Sequence, residues 1–126
     1  MKGFNNECTQ VMERAYELAK QSGGLVGTEH IVCGMLACPD SNGGKLLAEY
    51  GLSKSNITNI INCGSEVDSV NLSDRAKNAI YNAGQFALKS GSKEISSDKL
   101  LLAILIEDGS YASRALRGLG VDIDSL

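Results

Sequence analysis

Gly27-Thr28-Glu29-His30-Ile31-Val32-Cys33-Gly34-Met35-Leu36 decides the fold, because Ser96-Ser97-Asp98-Lys99-Leu100-Leu101-Leu102-Ala103-Ile104-Leu105 repeats its pattern 69 residues later. In each stretch a short polar turn carries one acid and then gives way to apolar residues at helical spacing. Thr28 reads as an N-cap, with Glu29 at the first helical position, where a negative charge suits the helix dipole. Ser97 and Asp98 are their counterparts. Pro39 and Asp40 close the first of the two helices.

The repetition extends on both sides. Upstream, Cys8, Val11, Met12, Ala15, Leu18 and Ala19 fall on one helical face. Phe4 and Asn5 precede that helix as staple and N-cap, and Gly23-Gly24 end it. Ser73 caps a matching helix with Ala76, Ala79, Ile80, Ala83, Phe86 and Ala87 on one face, ending at Gly91. At an offset of 68, Ala15, Ala19, Ser22 and Gly23 match Ala83, Ala87, Ser90 and Gly91. With one inserted residue, Leu36, Ser41, Leu47 and Gly51 match Leu105, Ser110, Leu116 and Gly120.

The remaining punctuation completes two units. A short helix is expected over about 44–50, stopped by Gly51 as a left-handed C′ residue. Ser53 caps a fourth helix through Ile57, Ile60 and Ile61. Residues 64–72 lose the periodicity and read as a linker. In the second unit a short helix is expected over 111–119, stopped by Gly120, with Asp122 capping the last segment. The expected organisation is one domain over 1–126: repeat one about 4–63, linker 64–72, repeat two about 73–126. The last helix ends at Leu126, which matches Ile57, so the natural polypeptide is expected to continue.

Two units of this size cannot each bury a face alone. The predicted fold is therefore all-α, two tandem four-helix repeats packed as a pseudo-twofold pair. The Ala-rich faces of helices 7–22 and 73–90 are expected to meet across the pseudo-twofold, since small side chains let helix axes approach.

Composition narrows the function. The 126 residues are 43% hydrophobic, enough for a core and too apolar for a disordered chain. Lys+Arg number 12 against 15 Asp+Glu, a net charge of −3, which argues against nucleic acid as partner. The longest apolar run, Leu100 to Ile106, is seven residues, far short of the roughly twenty a membrane span needs. The N-terminus carries no basic-then-apolar leader pattern, and Cys8, Cys33, Cys38 and Cys63 sit in a chain apolar enough not to need disulfide staples. A cytoplasmic setting is expected.

The opening Phe4, the Ala15-x3-Ala19 helix, Gly27-Thr28-Glu29-His30 leading into an apolar helix, and the repeated Leu-Gly-Val and Tyr-Gly-Leu helix stops together resemble the Clp N-terminal repeat domain. That domain heads AAA+ unfoldases of the ClpC and ClpA type, and the match is nearest the ClpC type. The resemblance covers Phe4 to Leu126. It implies a pseudo-dimer of four-helix units that docks substrates and adaptor proteins onto a hexameric ATPase, which feeds a partner peptidase. It also implies no reaction and no cofactor in this domain, with ATP and Mg²⁺ belonging to the parent chain. The other reading is a free-standing adaptor or regulator without an attached ATPase.

In ClpC-type members the acid of the Thr-Glu-His motif contributes to a site for phosphorylated arginine. Carried onto this chain, the ligand-binding residues are Thr28 and Glu29 in the first unit, and Ser97 and Asp98 in the second. A guanidinium calls for a carboxylate, and a phosphate suits helix N-terminal amides. The second motif departs from the first: Ser-Ser-Asp-Lys replaces Gly-Thr-Glu-His, so the acid is one methylene shorter and a lysine follows it.

Two other patterns carry less chemistry. His30, Cys33 and Cys38 share one helix and its end, but their spacing matches no standard zinc arrangement, and they read as core residues. Asn42-Gly43-Gly44-Lys45 looks like the end of a phosphate loop, but Pro39 stands where the first glycine belongs and Leu46 where Ser or Thr would hold Mg²⁺. No catalytic or metal site is expected.

Overall fold

A computed structural model describes residues 3–61 and 70–106. Helix α1 spans Asn6–Lys20 and is followed by β1, Leu25–Val26, and α2, Thr28–Ala37. Helix α3 covers Asn42–Ala48, and a 3₁₀ turn at Lys54–Asn56 runs into α4, Ile57–Ile60. Then come β2, Asn71–Leu72, helix α5, Asp74–Lys89, and helix α6, Ser97–Ile106. The architecture is mostly helical. The helix and cap expected over 111–122, and residues 64–69 of the expected linker, lie outside the described residues.

Caps form largely where side-chain chemistry demands them. Asn5 accepts the Cys8 N–H at 2.9 Å, and Ser73 accepts the Ala76 N–H at 3.1 Å. The equivalent stops Gly23 and Gly91 have φ of +106° and +80°, the left-handed region that favours glycine. Helix α3 begins two residues earlier than expected because Ser41 caps it, accepting the Gly44 N–H at 3.0 Å while donating to the Cys38 carbonyl at 2.6 Å. At α2 the cap is Gly27, and Thr28 is the first helical residue. The reason is His30, whose ring accepts the Gly27 N–H at 3.0 Å and so supplies the capping bond from inside the helix.

The core is one cluster drawn from both units, from Cys8 through Leu36 and Leu47 to Ala83, Leu100 and Leu105. Cys8, Val11, Met12, Ala15 and Ala19 are buried, the face read from the sequence. Their partner differs from the expected one. Helix α1 packs most extensively on α2 and α5 on α6, while the units meet mainly through α3 against α6 and α2 against α5. The alanine faces are therefore used inside each unit and do not form the seam between them. Gly34 explains this for α1: a Cβ there would run into the Val11 carbonyl and lie 3.2 Å from the Ala15 nitrogen. The backbones touch at that point, and no side chain fits between them.

Two short parallel pairings join the halves. Leu25 and Val26 pair with Asn71 and Leu72, and Phe4 bridges to Ile95. The repeat offsets carry Phe4 onto Leu72 and Val26 onto Ile95, so each pairing is the other with its partners exchanged. The hydrogen bonds obey the same exchange: Asn5 N–H to the Ile95 carbonyl and Ser73 N–H to the Val26 carbonyl are both 2.9 Å. This reciprocity is what a twofold relation between units produces. Two-residue strands are too short to leave a period-2 signature, which is why the sequence reads as wholly helical.

Gly34→Ala should overpack the α1–α2 contact and cost about 1–3 kcal/mol. Gly84 in α5 has only the Ile95 Cδ1 within reach of an added Cβ, at 3.8 Å. Gly84→Ala should therefore be neutral or stabilising by up to about 1 kcal/mol through helix propensity. Urea unfolding midpoints of the two variants, measured side by side, check both signs.

Candidate functional site

The first turn of α2 is built around His30. The ring is buried, with Nδ1 3.0 Å from the Gly27 N–H and Nε2 2.8 Å from the Ser22 hydroxyl. Ser22 donates its own proton to the Leu18 carbonyl at 2.7 Å, so it can only accept from His30. That assigns the neutral ring with its proton on Nε2. The Glu29 carboxylate lies 3.3 Å from Nδ1. One nitrogen cannot accept from Gly27 and donate to Glu29 at once, so the Glu29 contact becomes a hydrogen bond only when the ring is doubly protonated. Both ring nitrogens are thus engaged in packing the turn.

Glu29 folds back over Gly27, where an added Cβ would collide with its carboxylate. Its side chain keeps 21% exposure, while Thr28 beside it is buried. Burial pushes the Glu29 carboxyl up, but the hydrogen bond and charge that His30 offers once its ring is doubly protonated, together with Glu29's own backbone N–H, outweigh that push and hold it below the ordinary value. The result is a carboxylate held in place by a glycine, with one face open to solvent, at the positive end of a ten-residue helix.

The second motif takes the equivalent place in α6 but has different partners. Ser97 is fully buried, with Asp98 and Lys99 half-buried beside it. Burial pushes the Asp98 carboxyl up, and hydrogen bonds from Ser96, Asn42 and its own backbone N–H, with the Lys99 charge, pull it below its usual value. Asn42 donates its side-chain N–H to Asp98 Oδ1 at 3.2 Å.

Glu7 enters here, and the sequence alone did not select it. Its Oε2 accepts the Ser97 N–H at 2.7 Å, and its Oε1 accepts the Asn42 N–H at 2.7 Å. The Ser97 hydroxyl donates to Oε1 and accepts the Gly43 N–H at 2.6 Å. One side chain from α1 thereby ties together the first turns of α3 and α6. Only a charge reversal marks it in the sequence: at the 68-residue offset, Glu7 corresponds to Arg75.

Neighbouring features are inert or structural. Burial, then the charges of Glu7 and Asp98, push the Cys8 thiol up to about 12, so it stays protonated and unreactive. Cys33 is buried and Cys38 half-buried, both thiols, while Cys63 lies outside the described residues. The glycines of the apparent phosphate loop serve packing. A Cβ at Gly43 would lie 2.5 Å from the Met35 sulfur, and one at Gly44 would lie 2.7 Å from the Met35 carbonyl. Between α3 and α6 a 260 Å³ groove is lined by Leu46, Tyr50, Leu101, Leu102 and Leu105, with Glu49, Asp98 and Lys99 as its charged residues. No helix among the described residues is long and apolar enough to cross a membrane.

Comparison with known proteins gives consistent matches. The Clp repeat (R) N-terminal domain family matches residues 3–119. The chloroplastic chaperone protein ClpC of Pisum sativum is 30% identical over 126 residues, covering 94% of this chain and 14% of that protein. The negative regulator of genetic competence ClpC/MecB of Bacillus subtilis is 28% identical over 127 residues, 96% of this chain and 16% of that protein. The chain thus spans about one-sixth of the length of these relatives or less. Among solved structures, the N-terminal domain of ClpD from Arabidopsis thaliana superposes with a TM-score of 0.80 at 18% identity, covering 98% of this chain and 92% of that one. The ClpV N-domain in complex with a VipB peptide gives 0.77 at 22% identity, covering 98% and 82%.

Glu29 makes stability pH-dependent. A carboxyl held below its unfolded value contributes stability that is complete above the ordinary 4.5 and is lost as the pH falls through the folded value. Glu29→Gln removes this contribution, so its stability should fall less steeply than wild type below about pH 4.5. Urea midpoints between pH 6 and pH 3 measure the difference in slope.

Proposed function

The chain belongs to the Clp repeat N-terminal domain family, and from that premise we propose that it is a protein-docking module presenting substrates or adaptors to an ATP-driven Clp unfoldase. The observation that carries the finer reading is the Glu29 carboxylate, seated by Gly27 and partly open at the start of α2. Such a group suits a guanidinium. In the first turn the His30 N–H bonds the Gly27 carbonyl at 3.1 Å and the Glu29 N–H its own carboxylate, and the Thr28 N–H, at the first helical position, is the amide that suits an attached phosphate. Phosphorylated arginine on a protein substrate unites both requirements.

In this proposal Thr28 and Glu29 form the ligand-binding turn, and Ser97 and Asp98 are their second-unit counterparts. The domain performs no reaction and needs no cofactor. ATP and Mg²⁺ would act elsewhere in a parent hexamer coupled to a peptidase. A ClpV N-domain of the same fold in complex with a VipB peptide supports a peptide-docking role. The reciprocal backbone pairings support two four-helix units related by a pseudo-twofold. Thiols at Cys8, Cys33 and Cys38 suit a cytoplasmic setting.

Calorimetric titration with free phosphoarginine, with arginine and phosphate as controls, tests the reading. Glu29→Gln should weaken phosphoarginine binding about 10- to 100-fold, the range for losing a charge-assisted hydrogen bond. Gly27→Ala should weaken it in the same direction without removing any charge, because its Cβ displaces the Glu29 carboxylate. Equal affinity for all three ligands, or no loss in either variant, would overturn the assignment.

A further inference from the structure

We infer that Glu7 is an internal plug that closes the second unit to anionic ligand groups, so that only the Thr28–Glu29 turn reads phosphorylated arginine. The plug takes its ligand from the proposed function and rests on that reading to this extent, while its physical basis is independent of it.

A phosphate beside Asp98 would need the amides at the start of α6, as one beside Glu29 would need those of α2. The Ser97 N–H is already taken by Glu7 Oε2 at 2.7 Å. The Asn42 N–H, from the facing start of α3, is taken by Oε1 at 2.7 Å. The Ser97 hydroxyl, fully buried, donates to the same oxygen and satisfies the Gly43 N–H. Both carboxylate oxygens and all three amides are therefore matched within the protein. An incoming anion would have to break charge-assisted bonds and would meet the repulsion of a carboxylate at contact distance. Asp98, held by Asn42 at 3.2 Å, adds a second negative charge to the same turn.

The first unit has no such plug in its sequence. The position equivalent to Glu7 is Arg75, a cation, and the motif there is Gly-Thr-Glu-His. Two matched repeats thus carry opposite charges at the residue that faces the second motif in one half. What remains open on the second unit is the α3–α6 groove, apolar, with Glu49, Asp98 and Lys99 as its charged lining.

Backbone amide spectra of the ¹⁵N-labelled protein, titrated with phosphoarginine and with arginine as control, test the plug. In wild type the amides of Thr28, Glu29 and His30 should shift, and those of Asn42, Gly43 and Ser97 should stay still. In Glu7→Gln, which keeps the shape and removes the charge, the second set should begin to respond. Responses of Asn42 and Ser97 in wild type would overturn the plug while leaving the first-unit site intact. Silence of both sets in wild type, with a response at Asn42 and Ser97 in a folded Glu7→Gln, would support the plug and overturn the first-unit reading. A folded Glu7→Gln with Asn42 and Ser97 still silent would overturn the plug. Should Glu7→Gln lose its dispersed spectrum, Glu7→Asp shortens the plug by one methylene and is read by the same responses, and the wild-type arm stands by itself.

Discussion

Two short backbone pairings, Phe4 with Ile95 and Leu25–Val26 with Asn71–Leu72, set where every functional group in this domain sits. They lock the start of α1 beside the start of α6, and the start of α2 beside the start of α5. Helix starts are where unsatisfied N–H groups and the positive ends of dipoles collect. Bringing them together in pairs makes each junction a place where a carboxylate is stabilised. Glu7 satisfies one such junction from within the chain. At the other, Glu29 stands in the first turn of α2 with its carboxylate partly open to solvent, and Asp74 in the first turn of α5.

The contact at Gly34 makes this arrangement rigid. Because α1 and α2 touch backbone to backbone, their relative position has little slack, and the turn preceding α2 inherits that precision. His30 then fixes the turn from below through Gly27 and Ser22. The single histidine works as an internal cap. That role accounts for its burial without metal ligation or catalysis, since both ring nitrogens are spent on neighbours.

Much of this is legible in the sequence, for reasons that can be named. Helical faces show in apolar spacing, so Cys8 to Ala19 and Ala76 to Ala87 could be assigned to the core. Caps show in residue type, which marks Asn5 and Ser73, as well as the repeat that pairs Glu29 with Asp98. Other features leave no local mark. A two-residue strand has no period, and a helix face does not announce its partner, so alanine spacing points to a seam between the units when the contact lies within them. Thr28 looks like the better cap because only the fold brings the His30 ring onto the Gly27 amide. Glu7 looks like an ordinary first-turn acid, since its partners Asn42 and Ser97 lie 35 and 90 residues away. The charge reversal against Arg75 is the available clue, and it carries meaning only once the junctions are seen.

On the proposed reading the domain is an asymmetric docking module built from two matched halves. Each half carries an acid at the start of an apolar helix, but only one of the two starts is open to an anion. Native mass spectrometry of the wild-type protein with a phosphoarginine-bearing peptide measures this most directly, as the number of peptides bound per chain. One bound peptide is expected, and none for the same peptide with unmodified arginine. Two phosphorylated peptides per chain, or equal binding of the unmodified one, would contradict the asymmetry.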